Sequence, residues 1–407
     1  MTRTTFTNGQ IFDARSRSVA TADLLIEGDR ILEIGSGLDG DIEVDCTGQT
    51  LLPGLIDCHV HLTMSTTDLF ESVQQPFSLQ FYEGARNMQR TLAAGVTTVR
   101  DAAGADQGMR VAQQRGLVAG PRMQVSLNML SQTGGHGDPW WPSTCTMDLL
   151  PPHPGRPAIV VDGPEEIRRK VRELVRAGAD VIKVATSGGL VSSGAGPQIA
   201  HFRDDEITMM VSEAAAAGLA VMAHASGPGA KVAVRNGVRS VEHGHNLDDE
   251  TLTMMAQRGT WLVPTLASGV GLSNAVQSGM NLPAHIAAKI EETAASSQDD
   301  LRRAIAAGVR IAMGTDAPLY PHGRNLDEIE LLVDHGLGPG DALHAATASA
   351  AELMCCDDEV GSLEAGKRAD IVIIDGYGLD VTGLQDRVRA VYQDGQDRTG
   401  PVLAPLG

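Results

Sequence analysis

Eight short apolar runs recur along the middle of the chain, and amphipathic segments of helical length lie between most of them. The runs are LLPGLID, VTTVRDA, RMQVSLNML, DVIKVAT, LAVMAHA, RSVEHG, TWLVPTL and VRIAMGTDA. A strand covered on both faces reads as a nearly continuous apolar run, whereas a helix shows an apolar stripe every three to four residues. GPEEIRRKVRELVRAGA, RDDEITMMVSEAAAAG and AKIEETAASSQDDLRRAIAAG have that second pattern and end at glycine. Eight strand-helix repeats predict an α/β fold, a (β/α)8 TIM barrel, rather than an open doubly wound sheet. The phrase AGV, AGA or AGL directly before the second, fourth, fifth and eighth runs is the recurrent joint where a helix stops and a strand starts. A dinucleotide-binding fold needs a glycine-rich turn after its first strand, and GLIDCHVHL has none.

The two ends differ from this middle. Residues 1–52 read as short alternating strands broken by turn residues, and GSLEAGKRADIVIIDGYG and VRAVYQDGQ repeat that texture at the far end. The reading is therefore one small β-sandwich domain made from residues 1–52 and 358–407, with the barrel spanning 53–357. The chain has 407 residues, which suits a barrel of roughly 250 residues plus a smaller unit. Two long loops, SQTGGHGDPWWPSTCTMDLLPPHPGRP and SGGLVSSGAGPQIAH, follow the third and fourth runs, at the barrel end where active sites are built.

A formal charge of −19 opposes nucleic-acid binding, which needs clustered cations. Five irregularly spaced cysteines make no disulfide framework and no CxxC metal pair. The start lacks a cationic segment followed by an apolar run, and no stretch approaches 18 uncharged apolar residues. A soluble cytoplasmic protein is expected, a homo-oligomer acting on a small-molecule substrate without nucleic acid or membrane.

Six residues fall at the ends of five of the runs. His59 and His61 are two apart, so on a strand both side chains project from one face and can share a metal, although hydrogen-bonded core histidines would serve the spacing equally well. Lys183, in DVIKVAT, would be a costly buried cation unless its amine has taken up carbon dioxide; the resulting carbamate is an anion able to bridge two metals. Its alternative is a lysine whose stem is buried and whose head reaches solvent. His224 and His243 end the fifth and sixth runs, and Asp316, in IAMGTDA, is a carboxylate at a barrel mouth unless it caps the next helix. Only a barrel gathers these positions in one place. Imidazole and carboxylate donors without thiolate suit Zn2+ first, and Mn2+, Co2+ or Fe2+ also fit.

With HVH, the fourth-run lysine, HA, EHG and TDA set inside LIEGDRI…LLPGLID and GSLEAGKRADIVIID, nearly the whole chain resembles the amidohydrolase superfamily. LSQTGGHGD, KVATSGG, VEHG and TDA…PHGRN resemble its prolidase-like branch, related to imidazolonepropionase, which holds dipeptidases acting on Xaa-Pro or Xaa-Arg and relatives that cleave aryl amides and ureas. The resemblance implies that His59, His61 and Asp316 bind one divalent metal, that His224 and His243 bind a second, and that N6-carboxylated Lys183 bridges both. Metal coordination lowers the pKa of water to about 7 and a second metal polarises the scissile carbonyl. Asp316 would then take the proton of the attacking water and pass it to the leaving amine. The resemblance also places His136, of the GGHGD loop, against the carbonyl oxygen as it becomes anionic.

Substrate-side candidates are His136, His322 and Arg324 in PHGRN, Ser226, and the adjacent Trp140 and Trp141, which offer flat apolar contact. Ser226 stands where many dipeptidases of this branch carry a tyrosine that helps hold substrate, which weakens a purely peptide-carboxylate reading. The expected reaction is cleavage of an amide bond in a dipeptide, an N-acyl amino acid or an aryl amide or urea. The alternatives are the same centre acting on a lactone, cyclic amide or phosphate ester, and a non-catalytic scaffold of the same fold.

Overall fold

A computed structural model describes residues 2–66, 68–141, 143–189, 196–278 and 284–400. Eight strand positions run parallel in chain order: β1 (Leu55–Val60), β2 (Val96–Asp101), β3 (Arg122–Val125), β4 (Ile182–Ala185), β5 (Val221–Ala225), β6 (Ser240–His243), β7 (Trp261–Val263) and β8 (Arg310–Ile311). They do not form one unbroken sheet. The third apolar run splits, because the chain kinks at Leu127, whose φ is 68°, and the strand resumes only at Met129–Leu130. Ser126 and Asn128 drive the break with local bonds: Asn128 N donates to Ser126 O, and Asn128 Oδ1 accepts from Met129 N. One sheet therefore holds β1 to β3, and the other runs from Met129–Leu130 through β4 to β8.

Backbone hydrogen bonds cross both seams. Asp180 N donates to Val125 O at 2.8 Å on one side; on the other, Cys58 N reaches Met313 O at 2.9 Å, Asp316 N reaches His59 O at 2.7 Å and His61 N reaches Ala317 O at 2.8 Å. All eight C-terminal strand ends consequently open on one face. Helices such as Gly163–Ala177, Asp204–Ala216 and Asp249–Arg258 return the chain between strands. The glycines of the AGV, AGA and AGL joints, Gly95, Gly178, Gly218 and Gly308, have φ of 100°, 95°, 75° and 78°, a left-handed turn that stops a helix and frees the next strand. Among the described residues no helix is long and apolar enough to cross a membrane.

The chain ends supply two further sheets. One contains Arg3–Thr7, Asp23–Glu27, Arg30–Gly35 and Ile42–Asp45; the other joins Gln10–Asp13, Ser18–Thr21 and Gln49–Pro53 to Ile371–Asp375, Val388–Gln393 and Gln396–Asp397. Phe6, Leu24, Ile31, Leu51, Ile371 and Ile373 pack between them. The first apolar run is thus shared: its Leu51–Pro53 part lies in an end sheet and its later part is β1. Gly54 stands at the crossing, where a Cβ would come within 2.2 Å of Thr97 Oγ1 and 2.8 Å of Asp370 Cβ.

Arg122, at the base of β3, pins this crossing. Its guanidinium forks onto the buried Asp370 at 2.5 and 2.7 Å and reaches Asp394 at 2.9 Å, tying the parallel strands to the C-terminal segment. Removing the cation strands a buried carboxylate. Arg122→Met is expected to lower stability by about 2 kcal/mol, discounted for the partial exposure of the arginine; an unchanged urea midpoint would show that the fork contributes nothing.

Candidate metal centre

Five imidazoles form an arc at the open face of the parallel strands. Ring centroids are 5.5 Å apart for His61 and His59, 5.1 Å for His59 and His243, 4.6 Å for His243 and His224, and 4.3 Å for His224 and His136. Asp316 closes one end: its Oδ1 lies 3.3 Å from His59 Nε2 and 3.1 Å from His61 Nε2. Ligand atoms of His59, His61 and Asp316 all fall within 4.8 Å of one another, a spacing that one metal ion can span.

The strands place these groups as follows. His59 is on β1 and His61 one residue past its end; Lys183 is the second residue of β4, His224 lies near the end of β5, and His243 ends β6. Asp316 lies beyond the short β8, on a non-strand segment hydrogen-bonded to β1. His243 and Asp316 have φ of 68° and 56°. A left-handed non-glycine residue costs on the order of 1–3 kcal/mol and tends to sit where function requires it.

Lys183 is the most anomalous member. It is 1% exposed, and among the described residues its Nζ has no hydrogen-bond partner. Burial pulls its pKa down to about 8, against the opposing pull of Glu242 and Asp316. Burial likewise lowers His136 to about 4, helped by the charge of Lys183, and holds His224 and His243 well below the ordinary histidine value. These rings are therefore neutral near pH 7, the state in which imidazole can coordinate a metal. Burial would raise Asp316, but the charge of His59 and the hydrogen bonds from His59 and His61 outweigh it and keep the carboxylate ionised.

A surrounding layer fixes the ring orientations, and the sequence reading missed it. Glu242 accepts from His59 Nδ1 at 2.8 Å, Ala103 O takes His61 Nδ1 at 2.9 Å, and Thr265 Oγ1 takes His243 Nδ1 at 2.7 Å, which leaves each Nε2 for the centre. Glu242 is itself fully buried and bound by Arg100 Nη2 at 3.0 Å; Arg100 Nε also donates to Cys58 O at 2.7 Å. The signal was a charge inside each of two apolar runs, VTTVRDA and RSVEHG, with opposite signs. Asp57 accepts from His59 N, Thr315 N, Thr315 Oγ1 and Asn325 Nδ2, locking β1 to the segment that carries Asp316.

The remaining candidates divide. His136 stacks on His224 at 18°, and a Cβ on Gly189 would lie 2.4 Å from its Cε1, so the glycine of KVATSGG makes room for that ring. His322 is buried, with Nε2 at 3.1 Å from Met64 O, beside the segment after His61. Ser226 is buried at the N-cap of helix Gly227–Arg235, its N–H bound to Ser187 Oγ. Arg324 departs from the substrate-lining expectation: two carboxylates within reach, Asp327 and Asp386, take up its guanidinium. Trp140 is largely exposed in a hairpin that bridges to Thr146, and Trp141 N binds Cys145 O in the same hairpin. Part of the loop after β4, residues 190–195, lies outside the described residues.

The sequence profile of the amidohydrolase family matches residues 50–398. The chain belongs to the amidohydrolase family. It is 33% identical to an ochratoxinase of Aspergillus niger over 375 residues, covering 88% of this chain and 77% of that one, and 26% identical to an imidazolonepropionase of Micrococcus luteus over 399 residues, covering 89% and 90%. Among solved structures it is similar to a Xaa-Pro dipeptidase with methionine bound in its active site, at TM-score 0.88 and 31% identity over 97% of this chain and 99% of that one. It is similar also to the A. niger ochratoxinase structure, at TM-score 0.85 and 29% identity, covering 99% and 97%. The chain is thus an amidohydrolase of the prolidase-like branch, a hydrolase acting on C–N bonds, and the scaffold alternative falls. Its family uses divalent metal, and the His59, His61 and Asp316 donors fit one.

For this amidohydrolase, Glu242→Gln is expected to loosen the hold on His59 and weaken metal affinity about 10- to 100-fold. Competition against a chromogenic chelator measures this; an unchanged affinity would show that Glu242 only fills space.

Proposed function

We propose that this amidohydrolase uses two divalent metal ions, zinc by donor type, to cleave the amide bond of an N-acyl amino acid, a dipeptide or an aryl amide. Lys183 carries the reading. Among the described residues this buried amine, set among histidines and Asp316, has no hydrogen-bond partner, and a carbamate there would be an anion that two cations could share. His59, His61 and Asp316 would hold one ion, His224 and His243 the other, with Lys183 shared. When bound, the metals supply activated water and a Lewis acid for the scissile carbonyl.

The chain's own residues do the rest. Asp316, kept ionised by its histidine neighbours, takes a proton and delivers it to the departing amine nitrogen. His136, neutral and held flat against His224, donates to the carbonyl oxygen as negative charge gathers there. His322 and Ser226 would stand on the substrate side of the centre. The likeness to an ochratoxinase and to a Xaa-Pro dipeptidase supports an amide rather than a lactone, cyclic amide or phosphate ester. We read the eight strands, with hydrogen bonds across both seams, as a closed (β/α)8 barrel over 53–357, and 1–52 with 358–407 as a composite β-sandwich. Five unpaired cysteines suit a reducing cytoplasm.

Lys183→Ala is expected to cut turnover of a responsive substrate, found in a panel of N-acyl amino acids and dipeptides, by about a thousandfold, the equivalent of several kcal/mol of transition-state stabilisation. Full activity in that variant would end the bridging role. The acidity of Lys183 supplies a second test. Only the neutral amine takes up carbon dioxide, and a pKa lowered to about 8 makes that form half-populated at pH 8 instead of rare. Recovery of stripped enzyme with metal and bicarbonate is therefore expected to rise with pH, most steeply around pH 8, and to level off only about one pH unit above that. A flat profile from pH 6 to 9 would contradict it.

A further inference from the structure

Arg156 lies in the long loop after β3, and its side chain is fully buried. A cation so placed normally has a carboxylate against it. Arg156 has none among the described residues: Nη1 donates to Gly104 O at 3.0 Å, Nη2 donates to Gln80 Oε1 at 2.7 Å, and Nε is unpaired. Asp101, Asp148 and Asp106 act on it only from a distance, and burial pushes its pKa below the ordinary arginine value. The two oxygens it holds show what this costly burial achieves.

Gly104 O belongs to the turn that orients a metal donor. The carbonyl one residue earlier, Ala103 O, accepts from His61 Nδ1 at 2.9 Å. Peptide planes on both sides of Gly104 are fixed. The first is held by Gly104 N on Leu127 O at 3.0 Å and by His61; the second is held by Arg156 and by Ala105 N on Asp101 Oδ1 at 3.1 Å. Between the planes Gly104 has φ of 121°, a region open to glycine, and a Cβ there would lie 2.2 Å from Thr63 Oγ1. The turn therefore has little stiffness of its own at this residue, and the bonds on either side supply it. The same guanidinium joins three parts of the mouth: Gln80 is on helix Leu79–Ala93 after β1, Gly104 follows β2, and Arg156 belongs to the loop after β3. Its backbone closes a hairpin with His153, bonded in both directions at 2.8 and 3.0 Å, and His153 packs edge to face on Phe77 and Phe81 with centroids at 5.4 and 5.7 Å.

We propose that Arg156 is a positioning residue: it locks the turn at Gly104, through that turn the orientation of His61, and so couples docking of the loop after β3 to occupancy of the metal site. This rests on His59, His61 and Asp316 holding a metal. The coupling runs both ways, because a docked loop that tightens metal binding must itself be held down by bound metal to the same degree.

The test uses metal-stripped full-length protein and Zn2+ alone. Arg156→Met is expected to weaken zinc affinity about tenfold in competition with a chromogenic chelator, and Arg156→Lys, which keeps the cation and reaches one oxygen, about threefold. Zinc is expected to slow chymotryptic cleavage at the exposed Trp140 and Leu149 severalfold in the parent and hardly at all in Arg156→Met. A lower urea midpoint with unchanged zinc affinity, or equal protection by zinc in both proteins, would overturn the proposal, since an arginine that only stabilises the fold has no reason to respond to metal. Should Arg156→Met not fold, Arg156→Lys and Gln80→Leu carry the test on the same two readouts: weaker binding and reduced protection in both support it, and parental values refute it. If the parent binds no zinc, the metal reading fails by itself, and 15N spectra of the imidazoles decide the role of Arg156. His61 held as its Nδ1–H tautomer in the parent and mixed in Arg156→Met supports it; the same tautomer in both refutes it.

Discussion

Putting a lysine amine, a carboxylate and four imidazoles out of water at the ends of parallel strands is costly, and the rest of the site is arranged around that cost. A lone buried ammonium is disfavoured by several kcal/mol, which here shows as the depressed pKa of Lys183. Neutralising it by protein contacts alone would require a carboxylate on Nζ, and among the described residues Nζ has no hydrogen-bond partner. The proposed pair of cations, with Lys183 as a carbamate, would answer the burial of Lys183, the ionised state of Asp316 and the neutral state of His224 and His243 together.

What keeps these groups from collapsing onto one another is a layer of fixed bonds. Arg100 and Glu242 form a buried pair whose remaining capacity goes to Cys58 O, Ser240 Oγ and His59 Nδ1, so neither charge is stranded. Burial would push the Glu242 carboxyl up, but the Arg100 charge and the His59 bond bring it below the ordinary range. Glu328 plays a related part further out. Its buried carboxylate accepts from Leu266 N and Ala267 N, anchoring the left-handed Thr265 whose hydroxyl holds His243. The strain at His243 and Asp316 persists because such bonds over-determine the backbone around them.

Much of this was legible from sequence because parallel strands force it. A continuous apolar run with one polar residue near its end has few explanations, and eight of them in series left the barrel-like order of elements and the positions of His59, His61, Lys183, His224, His243 and Asp316 open to reading. The split of β3 was not legible, since RMQVSLNML is as apolar as its neighbours and only the local bonds of Ser126 and Asn128 break it. Arg100 and Glu242 were visible as misplaced charges, yet their pairing depends on strand register, which places Glu242 opposite His224 and next to the candidate ligand His243. Side chains in loops were the least readable. Arg324 looked available until Asp386, 62 residues away, supplied its partner, and Phe77 and His153 are adjacent only because the hairpin at Arg156 folds back over Gly104.

Metal is what this polar cluster is arranged to hold. Elemental analysis of the purified protein, after exhaustive dialysis against metal-free buffer and with protein concentration measured independently, tests it most directly. About two divalent ions per folded chain are expected, as in two-metal hydrolytic sites. A folded protein that retains less than one ion per chain under those conditions would contradict the account.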